Sequence, residues 1–331
     1  MTRAGYVLLA VVGVLTLAAP VIAPNRPDRA FRNLAFAPPS RVHVTHPVAG
    51  LVAPYTFPYR LVNRLERQYE EDRSRPQPIR FFHGGRLATV TFDGAPLMLL
   101  GADSRGRDIF ARLLYGARTS LALALLATGG ALLIGILVGG VAGYVGGTVD
   151  EVLSRLADFV LVLPAIYVVL ALRAVMPLTL PDSAVFLLMA GIFALVGWPF
   201  VARGVRAIIA AERTSEYAQA ATALGASHAR MLAHHLLPAT AGFLAVQATL
   251  LLPAFILAEA TMSYVGLGFS DRTASWGTML LDASNVAVLA EVPWALSPAA
   301  AIFLVVLGVN LAVQGTPGLV PDPGRVVGRR S

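Results

Sequence analysis

One carboxylate, Glu259, stands well inside an apolar stretch of this 331-residue chain. An acid in such a setting is expensive unless it is paired, protonated or turned to water, so it is a functional-site candidate by default, for example in a proton relay. A buried, hydrogen-bonded carboxyl that only packs its surroundings fits the residues equally well. Arg155 and Asp158, in R-L-A-D, lie three apart on one helical face and are expected to form a structural pair. Covalent chemistry is harder to assemble. The chain has no cysteine, hence no thiolate nucleophile, disulfide or thiolate metal site. No G-x-x-x-x-G-K-[ST] loop is present to cradle nucleotide phosphates, so the chain does not split ATP by that route. No catalytic residue and no metal ligand set is expected.

The second polar cluster is residues 215–238, S-E-Y-A-Q-A-A-T-A-L-G-A-S-H-A-R-M-L-A-H-H-L-L-P. Ala218, Ala221, Ala223 and Leu224 recur at helical spacing, which predicts a short helix over 216–224. Gly225 is suited to end it in a left-handed conformation, and Ser227 to cap a second helix reaching Leu237. Pro238 marks a further boundary. A-x-x-L-G-x-S also reads as a DNA-binding helix-turn-helix, but this elbow lies between two long apolar segments. Its setting points to a docking surface on a membrane protein, with no nucleic acid involved.

The elements that must position these residues follow from composition. Apolar residues are 56% of the chain and charged residues 14%, the balance of an integral membrane protein. Six apolar spans are read at 6–23, 119–144, 157–176, 183–205, 239–265 and 294–315. Between the first two, residues 24–118 are polar and Pro-rich and hold 15 of the 26 Arg but only 8 of the 19 acids. This extracytoplasmic domain or loop is expected to carry an amphipathic helix at 59–73 and a hairpin over 79–92 turning at Gly84-Gly85. Its basic side chains lack the aromatic interleaving of a nucleic-acid surface. Counting termini and short loops, one side of the membrane holds nine Arg (3, 155, 203, 206, 213, 230, 325, 329, 330) and the other two (173, 272). The positive-inside rule then makes both termini and the elbow cytoplasmic. The organisation is 1–23, N-terminus and first helix; 24–118, external region; 119–315, membrane core including the 212–238 cytoplasmic loop; and 316–331, cytoplasmic tail.

Three segments resemble one family in order along the chain. The elbow resembles the EAA loop of inner-membrane subunits of binding-protein-dependent ABC importers, with Ala220, Ala221, Gly225, Leu237 and Pro238 on the pattern, Gln219 where the family has its acid, and Glu216 where the peptide-importer branch tends to carry one. Residues 100–121, L-G-A-D-S-R-G-R-D and onward, resemble the segment before the second helix of dipeptide and oligopeptide permeases. Here Ile109, Leu113 and Leu114 form an apolar stripe opposite Arg112 and Arg118, fit for a helix on the membrane surface. Residues 260–280, A-T-M-S-Y-V-G-L-G-F-S-D-R-T-A-S-W-G-T-M-L, resemble the external link between the fifth and sixth helices. Ser263, Gly266, Gly268, Trp276 and Gly277, with Glu259, are the candidates for path or gate, and a structural re-entrant turn is compatible too. Trp276 and Trp294 suit the membrane interface.

The resemblance implies an all-α fold of six transmembrane helices of the type I importer kind, with a long insertion between the first two, in the cell inner membrane. It identifies the chain as a C-type permease subunit that is not an enzyme and forms half of a peptide path. Glu216, Gln219, Ala220, Ala221, Gly225, Arg230, Leu237 and Pro238 would couple it to ABC ATPase subunits, which use ATP and Mg while this chain binds no cofactor. The remaining partners implied are a homologous second permease, an extracytoplasmic solute-binding protein and membrane lipid. Metal chelates, glutathione or sugars are the alternative solutes. Rival classes are a proton-coupled transporter using Glu259 and a non-transporting membrane scaffold.

Overall fold

The computed structural model describes residues 2–46, 50–64, 66–90, 95–164, 167–168, 171, 180–284, 289–290 and 292–313. Four helices in these residues are long and apolar enough to cross a membrane: Ile109–Val145, Asp182–Glu212, His228–Tyr264 and Pro293–Val313. The expected spans at 119–144, 183–205, 239–265 and 294–315 lie on them, apart from residues 314–315 and the terminal Val265. The tail at 316–331 lies outside the described residues. The expected third span falls partly on described residues, where α4 (Gly147–Val162) starts ten residues before it. Its positions 165–166, 169–170 and 172–176 lie outside them. The first span is two pieces, α1 (Thr2–Leu17) and α2 (Ala19–Ile22), with Pro20 in the first turn of the second. Sixteen residues rise roughly 24 Å, short of the ~30 Å hydrocarbon core.

The chain divides into two compact units. The first comprises Met1–Val7, Ala122–Glu259 and Val306–Ser331. Here most of α3 (Ile109–Val145) packs with α4 and α5 (Asp182–Glu212) through small residues. Ala157, Trp198 and Ala202 form a buried cluster with Ile134, Val138 and Val160 against it. A Cβ on Gly139 would lie 2.9 Å from the Ala202 Cα, and one on Gly143 would lie 3.1 Å from the Arg206 Cα. Glycine at this spacing lets two helix backbones touch. Where polar helix ends meet, Arg206 holds Asp150 through both carboxylate oxygens.

The second unit, Leu8–Leu121 and Ala260–Val305, is not all-α. Among the described residues between 43 and 89 there are seven short strands: β1 (His43–His46), β2 (Gly50–Thr56), β3 (Tyr59–Asn63), β4 (Gln68–Glu71), β5 (Gln77–Pro78), β6 (Arg80–His83) and β7 (Arg86–Thr89). β1, β2 and β5 make an antiparallel sheet, and β3–β4 and β6–β7 make two ribbons. The helix expected at 59–73 is therefore corrected to a hairpin. Its i,i+4 charges imitate a helix, but Tyr59 and Tyr69 decide the matter. Their rings meet at 6.3 Å, and their hydroxyls donate to the carbonyls of Pro39 at 3.0 Å and Ala35 at 2.6 Å. The hairpin at Gly84-Gly85 forms as expected, with φ of 61° and 73° at the two glycines, the positive pair that a tight two-residue turn demands. Positions 91–92 of that expectation lie outside the described residues.

Candidate functional site

The elbow is built by its helix ends. α6 (Glu216–Ala223) stops at Leu224, and Gly225 follows with φ of 84°. The Gly225 N–H donates to Thr222 at 3.0 Å and the Ala226 N–H to Ala221 at 3.1 Å, so the last carbonyls are satisfied by a Schellman closure. Ser227 then caps α7 (His228–Arg230), accepting from the Arg230 N–H at 3.4 Å. The expected boundary at Pro238 is corrected. The chain passes through a π turn, Met231–Leu236, and a 3-10 turn, Leu237–Thr240, directly into α8 (Ala241–Tyr264). Proline donates no hydrogen bond, and the Leu237 N–H reaches back five residues to Leu232. The local change of winding accommodates the ring without ending the helix.

Ala218, Met231 and Leu236 are the buried side of this elbow. Glu216, Gln219, Ala220 and Arg230 are exposed, and Leu224 is 89% exposed. That outer face sets Ala220 and the bare Leu224 among the longer Glu216, Tyr217, Gln219 and Arg230, a mixed polar and apolar surface. Gln219 uses its amide to donate to the Thr214 carbonyl at 3.0 Å, which the acid of the family pattern could not do. The Tyr217 hydroxyl donates to Glu212 at 2.8 Å. Desolvation and that carboxylate hold its pKa above the ordinary phenol value.

Three residues given no site role by the sequence fasten the elbow to the helix ends. Arg213 donates to the carbonyls of Tyr144 at 2.5 Å and Val145 at 3.3 Å, a cation at the negative end of α3. The Tyr144 hydroxyl meets His228 Nδ1 at 2.6 Å. A recess of about 710 Å³ lies among Tyr144, Arg213, Ala218, Thr222 and His228. Tyr144 and His228 are 84 residues apart, and no spacing rule could have joined them.

The Arg155–Asp158 pair is corrected. Arg155 bonds Glu151 at 2.6 Å, one turn back, and Asp158 pairs with Arg203 on α5. Each side chain takes a partner other than the one expected. Glu259 is fully buried on α8 and engaged with another group of the protein.

In the second unit, residues 260–280 begin with another closure. Gly266 has φ of 82°, and its N–H and that of Leu267 return to Ser263 at 3.1 Å and Met262 at 2.9 Å. A Cβ on Gly268 would lie 2.7 Å from the Ser263 backbone. Ser275 opens α9 (Trp276–Ala283) with a capping box completed by Thr278, and Gly277 is buried in its first turn. Trp276 is 1% exposed, its ring packed against protein. Its indole N–H donates to the Leu113 carbonyl and its backbone N–H to Ser120, both at 3.1 Å.

A partly buried charge network joins the same two segments. Asp103 accepts Arg107 Nε at 2.6 Å, while Arg107 also donates to the Asp271 carbonyl at 2.6 Å and its carboxylate at 3.1 Å. Arg105 reaches the other Asp271 oxygen at 2.6 Å. Burial pushes the Asp271 carboxyl up, but the Arg107 hydrogen bond and the three nearby guanidinium charges outweigh it and hold it below the usual range. Arg112, expected on the polar face of a surface helix, is instead 1% exposed and 3.6 Å from Asp103. The helix expected to lie along the surface is the first part of α3. Asp103 and Arg107 are four apart and readable as a pair, whereas Asp271 carries no sequence signal.

Residues 131–316, more than half of the chain, match the family described as binding-protein-dependent transport system inner membrane component. The chain belongs to this family. The dipeptide transport system permease protein DppC of Alkalihalophilus pseudofirmus is 37% identical over 216 residues, 65% of this chain and 68% of its own. The oligopeptide transport system permease protein OppC of Bacillus subtilis is 36% identical over 216 residues with the same coverage. The dipeptide permease DppC of Bacillus subtilis is 40% identical over 182 residues, 55% of each chain. The family description makes the chain an inner membrane component of a transport system.

Proposed function

We propose that this chain is one of two membrane subunits of an ATP-driven importer, lining half of a path for di- and oligopeptides. ATPase subunits push on Glu216, Gln219, Ala220, Ala221, Gly225 and Arg230 at the elbow, and Leu237 and Pro238 carry that push into α8. The observation that carries this reading is the elbow itself: an exposed helix closed by Gly225 and fastened through His228, Tyr144 and Arg213 to the ends of α3 and α5. The peptide class is supported by the relatives, which are dipeptide and oligopeptide transport system permease proteins. ATP and Mg act in the partner subunits, and an external binding protein delivers the solute. The nine-to-two Arg asymmetry supports six spans with both termini and the elbow cytoplasmic and residues 24–118 outside. Glu259, Ser263, Gly266, Gly268, Trp276 and Gly277 belong to the path or the structure that shapes its outer end. Reconstitution with the partner subunits tests it: uptake of a labelled dipeptide should require ATP and the binding protein. Uptake driven by a proton gradient without ATPases would overturn it, as would cytoplasmic labelling of a tag at Ser74.

A further inference from the structure

The β6–β7 ribbon differs from the other strand pairs of its unit. All four residues of β6 are exposed, so neither face of it is covered by protein. Phe81 and Phe82 stand 55% and 81% exposed, with Leu87 at 39% on the facing strand. Phe82 holds φ of 53°, a left-handed backbone that bulky residues seldom adopt. A lone two-stranded ribbon is marginal in water, and this one displays two adjacent phenylalanines.

The packing of its other strand points to its surroundings. β7 packs against α2, the last turn of the apolar N-terminal segment, and Arg86 donates to the carbonyl of Pro24, two residues beyond that turn. The ribbon is thus held at the level where an N-terminal membrane helix leaves the hydrocarbon. A recess of about 320 Å³ beside it is lined by Arg26, Arg29, His83 and Arg86. Residues 77–90 contain no acid, and residues 24–31 contain one, Asp28, which pairs with Arg26 at 3.3 Å. Exposed aromatic rings next to guanidinium groups are the chemistry that seats a segment among phospholipid headgroups.

We propose that the β6–β7 ribbon is an interfacial anchor, with Phe81 and Phe82 in the headgroup and upper acyl region of the bilayer and Arg26, Arg29 and Arg86 directed to lipid phosphates. It fixes the 24–118 domain against the membrane instead of leaving it free above the path. The inference rests on reading α1 and α2 as a membrane helix, so the test must separate the two.

The absence of cysteine makes any introduced thiol unique. Full-length protein carrying Phe82→Cys, Leu87→Cys, Val14→Cys or Ser74→Cys is spin-labelled and placed in phosphatidylcholine–phosphatidylglycerol bilayers. Collision with oxygen, which partitions into lipid, is compared with collision with a water-soluble nickel chelate. Positions 82 and 87 should show a several-fold higher oxygen-to-nickel ratio than position 74, and position 14 a higher one still. If position 14 meets lipid while 82 matches 74, the anchor fails and the helix reading stands. If position 14 is also aqueous, the helix reading fails and the anchor with it. If the label at 82 leaves water only when the solute-binding protein is added, the ribbon is a protein dock and the proposal is overturned.

Discussion

Replacing Gly225 isolates backbone conformation from everything else at the elbow. A Cβ built there meets nothing within 4 Å, so a side chain costs only the strain of holding φ at 84°. For a β-branched residue that cost is roughly 1 to 2 kcal/mol, a factor of about 5 to 30 in the ratio of correctly closed to reopened elbow. Gly225→Val should therefore lower coupled uptake by up to that factor. Gly225→Ala should lower it less, and Gly225→Asn, whose side chain tolerates the left-handed region, least. Because the position lies on the exposed elbow, the subunit should insert and keep its melting temperature. The assay is dipeptide uptake measured alongside ATP hydrolysis in the reconstituted complex, with hydrolysis persisting as uptake falls. Normal coupled transport by Gly225→Val would remove the role given to the elbow. Asn as harmful as Val would show that surface bulk, not φ, is what matters.

Burial pushes the Asp108 carboxyl up to about 6, against hydrogen bonds from Asn25 and the Ala111 and Phe110 amides. The folded protein thus binds this proton more tightly than the unfolded chain, so the stabilisation is full below an unfolded value of 3.8 and is lost as pH rises through 6. Subtracting the Asp108→Asn melting curve from the parent's should isolate a fall on the order of 3 kcal/mol across that window, and a flat difference would refute it. Arg107→Met removes the guanidinium shared by Asp103 and Asp271, which keep Arg112 and Arg105, and should destabilise by about 1.5 to 3 kcal/mol, read as a lower melting temperature in detergent; an unchanged one would refute the network's role. Glu259→Gln keeps volume and hydrogen bonding while removing ionisation, and uptake should be largely preserved. Its loss with normal assembly and hydrolysis would move that charge into the mechanism. Gln219→Glu gives up the bond to Thr214 at a solvated position, so uptake should stay within about twofold, and a larger loss would make that bond part of the coupling.

Local rules carried far in some places and failed in others for reasons visible in single residues. Gly225, Ser227 and the Gly84-Gly85 turn were readable because backbone closure within four residues decides them. Four of the membrane helices were readable because twenty apolar residues leave the backbone few alternatives in lipid. The 59–73 segment was misread because Tyr59 and Tyr69 take their meaning from the carbonyls of Pro39 and Ala35, outside any local window. Arg155 and Asp158 fit a pairing rule, yet each found a nearer partner. Pro238 signalled an end that a wider turn made unnecessary.

The glycines of α3 carry a last consequence. Gly135, Gly139 and Gly143 bring this helix onto Val201, Ala202 and Arg206 of α5 with no side chain of their own between. A joint of that kind has no flexible teeth that could re-mesh one notch along. Slipping α3 past α5 would drive bare backbone into Cβ atoms, and tilting them apart would open an unfilled gap. During a transport cycle the two helices should behave as a single welded beam, so the give in the machine belongs at its ends, where the winding changes at 231–240 and the glycine closures sit.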